Sequence, residues 1–147
     1  MSNYYENVQA SLLAFCGTIV DDVIGIAPTI QVIKFDAYAE PGLMPETDLI
    51  GPFKMEMTDE EGLITVMCTI LISTQEDVNL FRLDKIVGET YSKLRPRKTI
   101  PLLDSDTGSA LGILNVVPGV TVMPLDQSTN RPFKGIAIAF KSSEVPT

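Results

Sequence analysis

The chain has 147 residues, enough for one domain with a sizeable core, and a net charge of −8 from 19 acidic and 11 basic groups. That charge repels phosphate, so general affinity for nucleic acid or anionic membrane is excluded as an expectation, although an acidic wall could line a passage along which DNA slides. Histidine is absent, which removes the commonest general base, a common metal ligand and every histidine-dependent triad.

The predicted elements run as follows. Tyr5, Val8, Leu12, Phe15, Ile19 and Val23 recur every three or four residues and predict an amphipathic helix over about Asn3–Val23. Gly17 sits in its middle, as if to admit a close strand, and Gly25 and Pro28 end it. Thr29–Tyr38 alternates and predicts a strand, and the proline- and glycine-bearing stretch Glu40–Glu46 an exposed loop. Phe53, Met55 and Met57 alternate with Lys54 and Glu56, predicting a half-buried strand. Thr58–Gly62 is a turn in which Gly62 supplies positive φ, and Leu63–Ser73, apolar on both faces, is a central strand completing a hairpin.

Thr74–Asp77 supplies a cap for a second helix with the stripe Leu80, Leu83, Val87, Tyr91 and Leu94. Lys93, Arg95, Arg97 and Lys98 place cations at its C-terminus, and Pro96 stops it. From Thr99 the pattern is β. Leu111–Leu125 is apolar but broken by Gly112, Pro118, Gly119 and Pro124, and reads as irregular strands or a long arm. In the closing strand Ile136, Ile138 and Phe140 face the helices, while Gly135, Ala137 and Ala139 form a small face that admits a neighbour. The order α-β-β-β-α-β-β predicts a single α+β domain over residues 1–147, an antiparallel or mixed sheet with two helices packed on one face and a long β arm.

The two cysteines, Cys16 and Cys68, fall on apolar positions and read as core residues in a reducing compartment. No signal peptide is visible, and the longest apolar run is too short to cross a bilayer. Asp106-Thr107-Gly108 spells the aspartic-protease triplet, but only one copy exists and polar residues surround it, so a protease would have to be a homodimer; a turn is the simpler reading. Asp104-x-Asp106-x-Gly108 begins like a calcium loop and then departs from it, with Ser109 and Asn115 at the sixth and twelfth positions. No catalytic residues, cofactor site or metal site are expected. Arg95 and Arg97 complement a helix end, or else salt-link to Asp59, Glu60 and Glu61 of another subunit.

The segments Tyr5–Val23, Phe53–Ser73, Asp77–Leu94 and Arg131–Lys141, in this order, resemble the tail terminator proteins of long-tailed bacteriophages. The resemblance is one of topology rather than of an invariant motif. It implies a virion protein of the tail or neck, assembled in the host cytoplasm. Such a protein forms a ring, usually a hexamer, that caps the tail tube, stops its polymerisation and meets the head connector, with DNA passing through the lumen. Another head–tail connector, head-completion or tail-tube component is the alternative within the virion, and the homodimeric aspartic protease the alternative from another class. Gly135, Ala137, Ala139, Arg95, Arg97, Asp59, Glu60 and Glu61 are the candidate subunit-interface residues.

Overall fold

A computed structural model describes residues 3–38, 43–95, 98–127 and 131–143. Two helices, α1 (Tyr4–Val23) and α2 (Phe81–Lys93), cover one face of a curled seven-stranded sheet. The strands are β1 (Gln31–Val32), β2 (Leu49–Glu60), β3 (Leu63–Ser73), β4 (Thr99–Leu103), β5 (Ala110–Val116), β6 (Thr121–Val122) and β7 (Phe133–Ser143). They lie in the order β1-β2-β3-β7-β5-β4, with β6 also on β7. Among the described residues only β1–β2 is parallel, which makes the sheet mixed.

The helices form where the periodicity places them. Asn3 caps α1 by accepting the Glu6 N–H at 2.9 Å, and its amide returns a bond to the Glu6 carboxylate at 3.1 Å. Val8, Leu12, Phe15, Cys16, Ile19 and Val23 are buried against the sheet. An added Cβ at Gly17 meets nothing within 4 Å, so this glycine admits no close strand; it lies on a face the sheet does not reach. Two polar residues join the helix to the opposite edge of the sheet. Asn7 Oδ1 accepts the Ser105 N–H at 2.9 Å, and Ser11 Oγ accepts the Leu103 N–H at 2.8 Å.

The second helix starts later than the stripe predicts. Asn79 and Leu80 adopt left-handed backbone (φ 55 and 59), so a 3-10 turn at Val78–Leu80 precedes α2. Its buried stripe is Leu83, Ile86, Val87 and Thr90, closed by Leu94, while Tyr91 is exposed.

β3 and β7 pair along their whole length, Leu63 opposite Ser143 and Ser73 opposite Phe133. Their inner side chains Ile64, Val66, Cys68, Ile70, Ile72, Ile136, Ile138 and Phe140 enter the helix-covered core. The two faces of β3 are thus not equivalent: Leu63 and Met67 on the outer face remain half exposed.

One sequence expectation fails for a backbone reason, and another is met with a change of face. Thr29–Tyr38 is not one strand; only Gln31–Val32 pairs, and Phe35–Ala37 turns as a 3-10 element. That turn sends Phe35 into a second, smaller core with Ile33, Leu49 and Phe133 on the other face of the sheet. Phe35 meets Phe53 and Phe133 edge-on at 6.5 and 6.2 Å. The half-buried strand at Phe53, Met55 and Met57 forms within β2 and alternates as expected, but a bulge interrupts its register, because the pairing jumps from Phe53–Thr69 to Glu56–Met67. The extra residue reverses which face the side chains take. Phe53 packs on the outer cluster, and Met55 and Met57 on the helix-covered core. Lys54, at φ 54, occupies the bulge, and Asp36 Oδ2 accepts its N–H at 3.0 Å.

The arm Leu111–Leu125 lies along its own sheet. β5 and β6 both bond the edge of β7 that β3 leaves free, and Val117 and Met123 donate to the carbonyls of Ala139 and Gly135, each at 2.8 Å. Its side chains Leu111, Ile113, Met123 and Leu125 stay largely exposed.

Candidate subunit interface

The outer face of the sheet carries an apolar groove. Its floor is the small face of β7: Gly135 is buried, and Ala137 and Ala139 are half-buried. Cross-strand register sets Leu71, Thr69 and Met67 of β3 beside these three residues. One wall comes from the second core through Phe53 and Tyr38, and the other from the arm through Met123 and Pro124. Two contiguous hollows, of about 410 and 330 Å³, share Lys54 and Thr69. A Cβ at Gly135 would stand 2.6 Å from Thr69 Cγ2 and 3.4 Å from Met123 Sδ, so glycine sets the depth of the groove. Lys54 stands at the rim, its Nζ 5.1 Å from the centre of the Phe53 ring.

The charged candidates lie elsewhere. Asp59, Glu60 and Glu61 are exposed at the far tip of the β2–β3 hairpin. The tip is a two-residue turn with Glu61 and Gly62 at φ 54 and 83, and Asp59 Oδ1 accepts the Gly62 N–H at 3.1 Å. Arg95 is exposed beyond α2, and Arg97 lies outside the described residues. Among the described residues, neither Arg95 nor the acidic tip forms an ion pair within the chain. The helix-end cation with a partner is Lys93, 2.7 Å from Asp22 of α1.

Asp106-Thr107-Gly108 occupies the exposed turn joining β4 to β5. Asp104 Oδ1 accepts the N–H groups of Asp106 and Thr107 at 2.8 and 3.1 Å, and Gly108 takes φ 75. Among the described residues no group of three histidine, cysteine or carboxylate side chains is placed to hold a metal ion. No helix among them is long and apolar enough to cross a membrane. A further hollow of about 560 Å³ lies between α1 and β4, where Ser11 is already engaged with Leu103.

A partly buried polar network ties the hairpin to α2. The Arg82 guanidinium grips the Asp48 carboxylate at 2.9 and 3.1 Å, and the same carboxylate accepts the Gln75 N–H at 2.9 Å. Arg82 also donates to the Gln75 carbonyl. Asp77 accepts the N–H groups of Arg82 and Leu83 at 3.0 and 2.8 Å and the Thr74 hydroxyl at 2.9 Å. Burial pushes the Asp77 carboxyl up, but these donors outweigh it and hold the group below its ordinary value. Arg131, 5% exposed, donates to Ser73 Oγ at 2.7 Å and to the carbonyls of Pro45 and Thr47 at 2.8 and 2.5 Å. Burial lowers its pKa from the ordinary value, partly offset by Asp48.

The sequence gives no direct sign of the Asp48–Arg82 pair, whose members are 34 positions apart. The one available signal was a cluster of charges just before an apolar stripe. No protein-family model matches the chain, and no curated protein matches it either.

Proposed function

We propose that the protein is a virion subunit that forms a closed ring on the end of a phage tail tube, stops its growth and presents its other face to the head connector. The observation that carries this reading is the apolar groove on the uncovered face of the sheet, floored by Gly135, Ala137 and Ala139. Antiparallel sheets left to water alternate apolar and charged residues. Here the outer face of β3 and β7 offers Leu63, Met67, Leu71, Gly135, Ala137 and Ala139, interrupted by Thr65 and Thr69 and with a single charge at Lys141. Such a face is built for a protein neighbour.

Asp59, Glu60 and Glu61 at the hairpin tip and Arg95 beyond α2, which form no ion pair among the described residues, supply opposite charges at two separate places that a head-to-tail contact between copies can bring together. The net charge of −8 suits a lumen through which DNA passes without adhering.

The test is the Ala137→Arg variant, followed by light scattering and negative-stain imaging. The wild type should give rings, alone or when tail tubes are supplied. The variant should keep its circular dichroism spectrum and lose the ring. A monomeric wild type that forms no ring with tubes overturns the proposal.

A further inference from the structure

At the start of α2 the chain displays two large apolar side chains. Val78 is 76% and Phe81 is 68% exposed, the two highest values among the large apolar side chains of the described residues. The backbone that displays them is unusual. Glu76, Asn79 and Leu80 all take positive φ (49, 55 and 59) without being glycine. A branched residue such as leucine in this region costs about 1–2 kcal/mol. The outcome is that Leu80 turns inward onto the core while Val78 and Phe81 turn out.

The segment is also held firmly. Asp77 caps the two amides that follow Phe81, and the two-pronged Asp48–Arg82 pair anchors the first turn of the helix. A rigid aromatic knob loses little conformational entropy on docking, which is the property of residues that dominate interfaces.

We propose that this Val78–Phe81 knob inserts into the outer-face groove of a second copy of the chain, with Phe81 entering the hollow beside Phe53, Leu71 and Met123. The inference deepens the ring reading by naming its two contact patches, and it depends on self-assembly but not on the tail. Two observations select this occupant. The groove hollow of about 410 Å³ is lined mostly by aromatic and aliphatic side chains, as a phenyl ring requires, with Thr69 and one charge of each sign, Lys54 and Asp126, among them. The knob belongs to the helix layer and the groove to the other face of the sheet, so one copy cannot fill its own groove. Two different patches on one subunit make a head-to-tail contact, which closes into a ring when the rotation allows.

The test is disulfide trapping between two single variants, Phe81→Cys and Met123→Cys, mixed and oxidised. The native thiols do not interfere. Burial, reinforced by the neighbouring Cys68, pushes the Cys16 thiol up strongly, and burial pushes Cys68 up to about 12. The mixture should give a covalent dimer, and each variant alone should give none. Phe81→Asp should weaken association by about thirtyfold or more, as loss of an interface anchor does. No dimer in the mixture, or the same dimer from Phe81→Cys alone, overturns the proposal. If Phe81→Asp leaves the wild-type ring intact, the knob fails while the ring reading survives. A wild type that stays monomeric with and without tubes sinks both.

Discussion

The Asp48–Arg82 pair offers the sharpest test of what holds the helix layer to the hairpin. Asp48 has a 4% exposed side chain and Arg82 a 28% exposed one. Replacing Asp48 by Ala removes the acceptor for Arg82 Nε, Arg82 Nη2 and the Gln75 N–H. An orphaned backbone N–H costs about 1–3 kcal/mol. Breaking a fully buried pair costs about 3–5 kcal/mol, but Arg82 can turn its guanidinium to water, so that figure is reduced by more than half. The expected loss is therefore about 2–4 kcal/mol, a large part of the about 5–15 kcal/mol available to a domain. In melting temperature it corresponds to about 4–16 °C for a chain of this size. Urea unfolding at one fixed, low protein concentration measures it without a contribution from assembly. Arg82→Met should cost at least as much, because it strips the guanidinium from a carboxylate that is only 4% exposed, and the double variant should cost less than the two single changes added together. A loss below about 0.5 kcal/mol for Asp48→Ala would refute the account, since it would mean that the pair is solvated and the N–H is satisfied elsewhere.

Two further outcomes follow from single positions. A Cβ on Gly51 would stand 1.7 Å from the Ile33 carbonyl oxygen, whereas one on Gly17 meets nothing within 4 Å. Gly51→Ala should cost at least about 2 kcal/mol by overpacking, and Gly17→Ala should gain about 0.5–1 kcal/mol from helix propensity; similar urea midpoints for the two would contradict this. Asp77 is held below its ordinary carboxyl value in the folded chain, so its contribution is fully present above the unfolded value and lost as pH falls through the folded one. Wild-type stability should therefore fall more steeply than that of Asp77→Asn between about pH 5 and 2, and parallel curves would remove Asp77 as the cause.

The elements that sequence reading captured are those fixed by local periodicity. The stripe from Val8 to Val23 has one solution, a helix on a core, and the structure adopts it. The opposition of Ile136, Ile138 and Phe140 to Gly135, Ala137 and Ala139 is likewise local and appears as the two faces of β7. What escaped depends on a single extra residue or on partners far along the chain. The bulge at Lys54 leaves the alternation of Phe53, Met55 and Met57 looking regular while moving Phe53 to the other face. Ile33 and Phe35 look like strand residues because the second core they fill is completed by Phe133, about a hundred positions later. Asn7 and Ser11 read as ordinary helix positions, although they satisfy the backbone of Leu103 and Ser105. The small face of Gly135, Ala137 and Ala139 was legible from size alternation, whereas Val78 and Phe81 read as helix residues until the left-handed turn shows them facing out.

The arm explains why the groove exists. β7 has two edges, and β3 occupies one along its whole length. Had a single long strand paired with the other edge, the outer face would be an even surface. Instead β5 pairs only at Asn115 and Val116 and β6 only at Thr121 and Val122, with Pro118 and Gly119 between them. Proline cannot donate a ladder bond and Gly119 sits at φ 104, so the arm leaves the sheet plane between the two contacts. That excursion raises a wall along one side of Ala137 and Ala139, and Met123 continues it beside Gly135. On the other side the bulge at Lys54 turns Phe53 outward and lets Phe35 meet it edge-on. Both walls therefore come from local departures from ideal strand geometry, and the floor between them comes from three residues too small to fill it. Stability alone favours the opposite choice, since larger apolar side chains at Ala137 and Ala139 would bury more area. Retaining small residues between two raised walls leaves space for an outside side chain, and Phe81 is the most prominent aromatic side chain the helix layer of another copy can offer.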